Sequence, residues 1–304
     1  MLMNTEFGHP SPKSSTRFPS ISEQPLIHKG RPMNSKRTSD NSTPHLTPAN
    51  LVGRQFSPDT FKGITVALVG YCPRLHILDK YNPMDTNDQY FIHVPPESVK
   101  ICDHNGIEFL SIYHVYGGPV SSALIEELAY YGIKYILAYG LAGGLGTQNL
   151  KMADFYIVES ALAMDGTTPH YTEDKLILSD GSLNSRIKEL ADKSGLPELM
   201  PVQALTVDAI YREYEPNIKD AREKGCDIVN CDSSHLFAVS RSVGIKSTEC
   251  GLISDVVKSG EEEWKSSLSA MLSSKDVDAQ DPLVLLGKMA EFYVKVLIQD
   301  IVRG

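Results

Sequence analysis

The chain has 304 residues, 41% of them hydrophobic and 22% charged, and 29 Lys and Arg against 38 Asp and Glu leave a net charge of −9. Such proportions belong to a chain that folds around a buried core, and they exclude collagen-like and low-complexity classes. The acidic balance gives no general attraction for phosphate backbones or anionic lipid, so no nucleic-acid partner is expected, although a local cationic pocket could hold a small anion.

The first fifty residues include eight Ser, five Thr, seven Pro and four Asn, which bury too little apolar surface to offset their ordering entropy. Residues 1–55 are expected to form a disordered arm, and residues 56–304 a single folded domain, because no linker, repeat or shift of composition follows residue 60. The start lacks a basic segment followed by an apolar one, and no run approaches the roughly 18 to 20 apolar residues of a spanning helix. A cytoplasmic protein with no membrane partner is the expectation.

From residue 64 the texture changes. Ile64–Gly70 is an apolar, partly β-branched run ended by glycine, the pattern of an inner strand covered on both faces. A strand is predicted over Ile107–His114, a helix over Ser121–Tyr131 behind Pro119, and another strand over Ile133–Tyr139 that stops at a glycine turn, Gly140–Gly146. Strand, helix, strand in that order predicts an α/β fold. Further strands are predicted at Phe155–Val158, Val202–Thr206, Asp227–Asn230 and Ile245–Ile253. Helices are predicted at Ser182–Ala191, Ile218–Lys224 and Ser234–Val243, with a last amphipathic helix from Pro282 through Ile301.

Gly70-Tyr71-Cys72-Pro73-Arg74 follows an inner strand, where backbone amides and a guanidinium could surround an anion. Gly140–Gly146 lacks both GxGxxG and GKS/T, so neither dinucleotide nor nucleoside-triphosphate binding is supported. Asp232 and Asp255 end two predicted buried strands, where each could cap a turn or helix or serve as a candidate acid. His114, His170 and His235 form no metal-binding spacing, and a GxSxG elbow is absent. Five cysteines without a CxxC pair read as reduced thiols. Trp264 and the Leu285, Met289, Phe292 and Val296 face of the last helix read as core or subunit contacts.

Taken together, the motifs resemble the nucleoside phosphorylase and nucleosidase superfamily, whose members include hexameric purine nucleoside phosphorylases, uridine phosphorylases and methylthioadenosine nucleosidases. Gly70–Arg74 looks like its first phosphate-loop motif, His114–Ser121 like its glycine-proline-serine turn, and Tyr139–Gly144 like its central glycine motif. Asp165–Tyr171 resembles the EGTSxHY-like segment, Val229–Ser234 stands where the family has VEMEAA or IEMESS, and Leu252–Asp255 resembles VSD or ISD.

The resemblance implies a single α/β domain with a central mixed, partly barrel-like sheet flanked by helices. It implies Asp255 as the acid that protonates the departing base, and Asp232, Cys231 and His114 around the ribose. Gly70 and Arg74 would contact phosphate, and Asp165 and Gly166 the base. No cofactor or metal is implied, only inorganic phosphate as a possible co-substrate, and a homo-oligomer is expected. The activity implied is cleavage of a nucleoside's N-glycosidic bond by phosphorolysis, as in purine salvage. A phosphate-independent nucleosidase and a noncatalytic nucleoside-binding descendant are the alternatives.

Two departures feed those alternatives. Ala138 and Leu141 stand where the family's phosphorylases usually have a phosphate-binding arginine and a serine or threonine, and the nucleosidases also dispense with that arginine. Asp232 is one methylene shorter than the ribose-binding glutamate, and Asn230 replaces the first glutamate of that signature. Ala163 and Met164 offer no amide or guanidinium to a pyrimidine, which points to a purine or an unusual base.

Overall fold

The computed structural model describes residues 44–256, 265–266 and 281–303. Along the chain come β1 (Val66–Gly70), β2 (Met84–Asp85), β3 (Val99–His104), β4 (Ile107–Ile112), α1 (Gly118–Tyr130) and β5 (Tyr135–Gly144). Then follow β6 (Phe155–Ala163), β7 (Leu176–Leu178), α2 (Gly181–Ser194), β8 (Leu199–Thr206), α3 (Glu215–Glu223) and β9 (Ile228–Asn230). The series ends with α4 (Ser233–Val243), β10 (Lys246–Val256), β11 (Lys265–Ser266), α5 (Pro282–Phe292) and α6 (Ile298–Arg303).

Five strands close a ring in which β5 pairs with β10, β10 with β6, β6 with β8, β8 with β9, and β9 with β5 again. A wing leaves the ring at β5 and runs through β1, β4 and β3 to β2. The mixed, barrel-containing α/β architecture expected from the motifs is the one observed. Leu124, Ile125 and Leu128 of α1 and Leu236–Val239 of α4 join the core on one side of the sheet. Leu183 and Ile187 of α2 with Leu286, Met289 and Phe292 of α5 join the core on the other. Coverage of both faces explains why the inner strands read as unbroken apolar runs.

The strand β5 changes partner in its middle. Up to Tyr139 it pairs with β1, whereas Gly143 and Gly144 pair with β9. Between these two pairings the sheet splits, and the split opens at Gly140. This corrects the predicted glycine turn at Gly140–Gly146, because the strand runs on to Gly144 along β10. Close approach is what the glycines supply: a side chain on Gly251 would run into the Tyr156 hydroxyl and the Gly140 carbonyl.

Smaller differences have local causes. The strand predicted to reach His114 ends at Ile112, since His114 adopts the left-handed region at φ 60°. The last helix is interrupted by a π turn at Tyr293–Leu297, whose Tyr293 hydroxyl donates to the Ala138 carbonyl at 3.0 Å. Folded structure begins before residue 56, with 3-10 turns at Pro48–Asn50 and Val52–Arg54. Val52 is buried against the core, and Tyr130 donates to the Phe56 carbonyl at 2.9 Å. The rest of the expected arm, and Trp264, lie outside the described residues. Among the described residues, no helix is long and apolar enough to cross a membrane.

Candidate functional site

The split in the sheet brings three side chains to Gly140. A β-carbon there would lie 3.4 Å from Cβ of Tyr71, 3.6 Å from Asp232 Oδ2 and 3.7 Å from Glu249 Oε1. Tyr71 follows β1, Asp232 follows β9, and Glu249 lies within β10 in register with Ala138 of β5. Tyr71 is anchored by a 2.8 Å hydrogen bond between its hydroxyl and that of Ser121 in α1. Asp232 precedes α4 as its N-cap residue, yet its side chain makes no capping bond, which leaves the carboxyl turned to the split.

Both acids are dehydrated: Asp232 is 6% exposed and Glu249 is 0% exposed. Burial, reinforced by the charge of Glu249, pushes the Asp232 carboxyl well above its ordinary range. Burial also raises Glu249, but only to about 7, because hydrogen bonds from Ser233, Asn230 and Tyr156 favour its charged form. Ser233 Oγ donates to Oε2 at 2.7 Å and Asn230 Nδ2 to Oε1 at 3.0 Å, with the Tyr156 hydroxyl 3.5 Å from Oε1.

A second acidic group lies further along the same rim. Gly143 of β5 is in register with Val229 of β9 on one side and Asp255 of β10 on the other. A register shift between Ile253 and Asp255 re-aims the strand there, so that Asp255 Oδ2 lies 3.2 Å from where a Gly143 β-carbon would be. The Ser254 hydroxyl donates to Asp255 Oδ1 at 2.8 Å. Glu213 is raised to about 7 by burial and then by the charge of Asp255. It also lines a cavity of about 210 Å³ with Met164, Asp208, Arg212 and Asn217. Cys231 spans the two acid groups: burial first, then the charges of Asp232, Glu213 and Asp208, push its thiol up to about 12.

The structure therefore brings Cys231, Asp232 and Asp255 to one rim of the ring, while Gly70 ends β1 in register with Tyr139 of β5, next to the split. Gly166 belongs to the edge of that rim, donating its N–H at 2.7 Å to Asp208 beside the cavity. His114 is exposed, its N–H on the Cys72 carbonyl at 3.1 Å and its ring 5.9 Å from that of Tyr116. Tyr116 in turn feels Asp232, with its phenol raised to about 12 by burial, then by Cys72 and Asp232.

Two expected ligands are engaged elsewhere. Arg74 is ion-paired with Asp79 and sits 6.0 Å from the Tyr113 ring centre, beside Lys100 and Cys102. Asp165 accepts from Ser234 Oγ at 2.6 Å and from the N–H groups of Thr167 and Thr168 at 2.9 and 2.7 Å. Burial raises its pKa, but those bonds outweigh the effect and hold the carboxyl below its ordinary value. These bonds fix the turn that Asp165 opens, the residue expected at the base. Close packing also accounts for Gly118, where a side chain would strike Thr167 of this turn.

Tyr71, Glu213 and Glu249 were not among the expected site residues. For Glu249 a signal was present: an acid in the middle of a buried strand must find donors. Glu213 lies in a polar segment with no periodicity to mark it.

The sequence model of the phosphorylase superfamily matches residues 98–278. An uncharacterised protein, R802, of Acanthamoeba polyphaga mimivirus is 30% identical over 239 residues, covering 77% of this chain and 92% of that one. Toxoplasma gondii purine nucleoside phosphorylase, solved in complex with immucillin-H, superposes with a TM-score of 0.60 at 18% identity, covering 78% of this chain and 92% of that one. Campylobacter jejuni 5'-methylthioadenosine/S-adenosyl homocysteine nucleosidase gives a TM-score of 0.60 at 14% identity, with 80% and 100% covered. At such identities the two structural likenesses speak for the fold.

Proposed function

The chain belongs to the phosphorylase superfamily, and on that premise we propose that it cleaves the N-ribosidic bond of a nucleoside with water as the nucleophile. The observation that carries the choice of water is the company around Gly140, where two of the three converging side chains are acids. A phosphate dianion there would meet carboxyl groups in a dehydrated setting, whereas water brings no charge. Phosphorolysis, the leading expectation from the motifs, loses support because Ala138 and Leu141 offer no polar side chain and Arg74 is held by Asp79.

In this reading Asp232 holds the sugar hydroxyls and Cys231 packs against the sugar. The C1′–N bond breaks with its electron pair going to the base, and Asp255 relays to the base a proton that it takes up from solvent. Water oxygen bonds C1′ and releases its own proton to solvent, leaving free ribose and free base. The base lies toward the 210 Å³ cavity, where Asp208, Arg212 and Asn217 supply polar edges. Those edges come from a segment beyond Ala163 and Met164, so the preference for a purine rests on the substrate panel.

The test is incubation with inosine, adenosine, guanosine, uridine and methylthioadenosine, each with and without phosphate. Free sugar in both conditions is the expected result. Ribose 1-phosphate formed only with phosphate would return the chain to the phosphorylases, and binding without base release would make it a nucleoside-binding descendant.

A further inference from the structure

Among the described residues, Glu249 is the one fully buried acid of the site that the family motifs do not name. Its Oε1 and Oδ2 of Asp232 both approach the space above Gly140, at 3.7 and 3.6 Å from one point, so no more than about 7.3 Å separates them. Their hydrogen bonds are unequal. Glu249 accepts from Ser233 and Asn230 and has the Tyr156 hydroxyl near it, whereas no side chain donates to the Asp232 carboxyl among the bonds observed in the described residues. Donors stabilise a carboxylate, and a carboxyl without them is the better place for a proton.

The segment around Asp232 is built to hold this neighbour. Asn230, standing where the family signature has a glutamate, turns its Nδ2 to Glu249 and to Ser233 Oγ (2.6 Å), while Thr206 Oγ1 lies 3.2 Å from its Oδ1. At position 230 an amide donates, and the acid that it meets comes from β10. Ala138, which carries no charge, lies across the ladder from Glu249 on the adjacent strand.

We infer that Glu249 is a positioning residue that shares a single proton with Asp232: Glu249 carries the charge, and Asp232 carries the proton and presents both an O–H and a C=O to the sugar. The inference rests on the reading of Asp232 as the sugar-binding acid. It adds a specificity to that site, which is selective for an uncharged sugar with vicinal hydroxyls and disfavours an anion.

The surroundings isolate this proton. Among the described residues, the other titratable groups that feel the pair are Tyr71, Cys72, Tyr116, Tyr156, Cys231, Cys250 and Tyr293, all pushed up first by burial. They stay neutral through the range in which the two carboxyls exchange their proton.

Infrared titration of the full chain reads the proton directly, through the C=O stretch of a protonated carboxylic acid. The wild type is expected to keep such a band above pH 7.5, and Asp232→Asn to remove it. In Glu249→Gln the neighbouring charge is gone, so the midpoint of the Asp232 band should fall by more than one pH unit. A wild type without the band, or a midpoint unmoved by Glu249→Gln, overturns the inference. Should Glu249→Gln not fold, the comparison of wild type with Asp232→Asn still decides whether Asp232 holds a proton.

With the nucleoside that the panel identifies, Glu249→Gln should raise KM at least tenfold and move its pH dependence downward, with kcat changed less than threefold. Base release without the infrared band would sink the shared proton and leave the hydrolase standing. The band without base release from any nucleoside would do the reverse.

Discussion

Glu249 stands directly across the parallel ladder from Ala138, so the strand pair that forms the floor of the site presents a methyl group beside a buried acid. An anion at this place has an acid for a neighbour where the related phosphorylases usually offer a guanidinium. The consequences reach each part of the rim.

Arg74 is the cation that the motifs assign to phosphate, and it is tied to Asp79. Arg74→Ala should change the rate of base release less than threefold at any phosphate concentration. The exposed ion pair itself contributes only about 0–1 kcal/mol to stability. A loss of more than tenfold, relieved by raising phosphate, would put Arg74 back in the reaction.

Glu213 faces Asp255 and is raised to about 7. A carboxyl that serves while protonated loses its effect as pH rises through its pKa. If it keeps the proton of the departing base in reach, kcat/KM should fall across pH 7, and Glu213→Gln should abolish that limb while lowering the rate about tenfold. An unchanged profile would reduce Glu213 to a wall of the cavity.

His235 is buried 3.9 Å from Asp165, and among the described residues neither ring nitrogen has a hydrogen-bond partner. Burial pulls its pKa down to about 4, with the charges of Asp165 and Asp208 acting in opposition. A histidine depressed in the fold binds its proton more readily when unfolded, so stability present above pH 6.5 is lost as pH falls toward 4. Between pH 7.5 and 5 the loss is about 2 kcal/mol. Relative to wild type, the Tm of His235→Phe should therefore improve on acidification. A Tm difference constant with pH would show that the imidazole is not held neutral.

The two glycines that meet across β5 and β10 should respond differently to a methyl group. Gly251→Ala drives Cβ into the Tyr156 phenol and a backbone carbonyl, and should cost about 3 kcal/mol or more. Gly140→Ala finds its nearest atom at 3.4 Å, an ordinary contact, so the fold should survive while nucleoside affinity drops at least tenfold. Equal melting temperatures for the two variants, by calorimetry, would contradict the packing described here.

Much of the scaffold was legible because it depends on local pattern. Val66–Gly70 and Tyr135–Tyr139 are inner strands and read as such, since burial on both faces leaves no polar alternation. The glycines from 140 to 144 misled because glycine usually ends a strand, and only the neighbours on both sides keep this one extended. Asp232 and Asp255 were legible at strand ends. The partners of Arg74 and Asp165, Asp79 and Ser234, were not, because spacing does not single them out. Glu249 acquires its meaning from Asn230 and Ser233, which only the closure of the ring brings to it.

Ring closure also decides when the two acids lose their water. Glu249 and Asp232 are stripped of hydration as β10 zips against β5 and the chain turns into α4, so this desolvation is an expense of folding and not of ligand capture. An incoming sugar meets polar groups already dry and already aimed. Loosening the β5–β10 seam would then weaken binding even where every contacting side chain is retained.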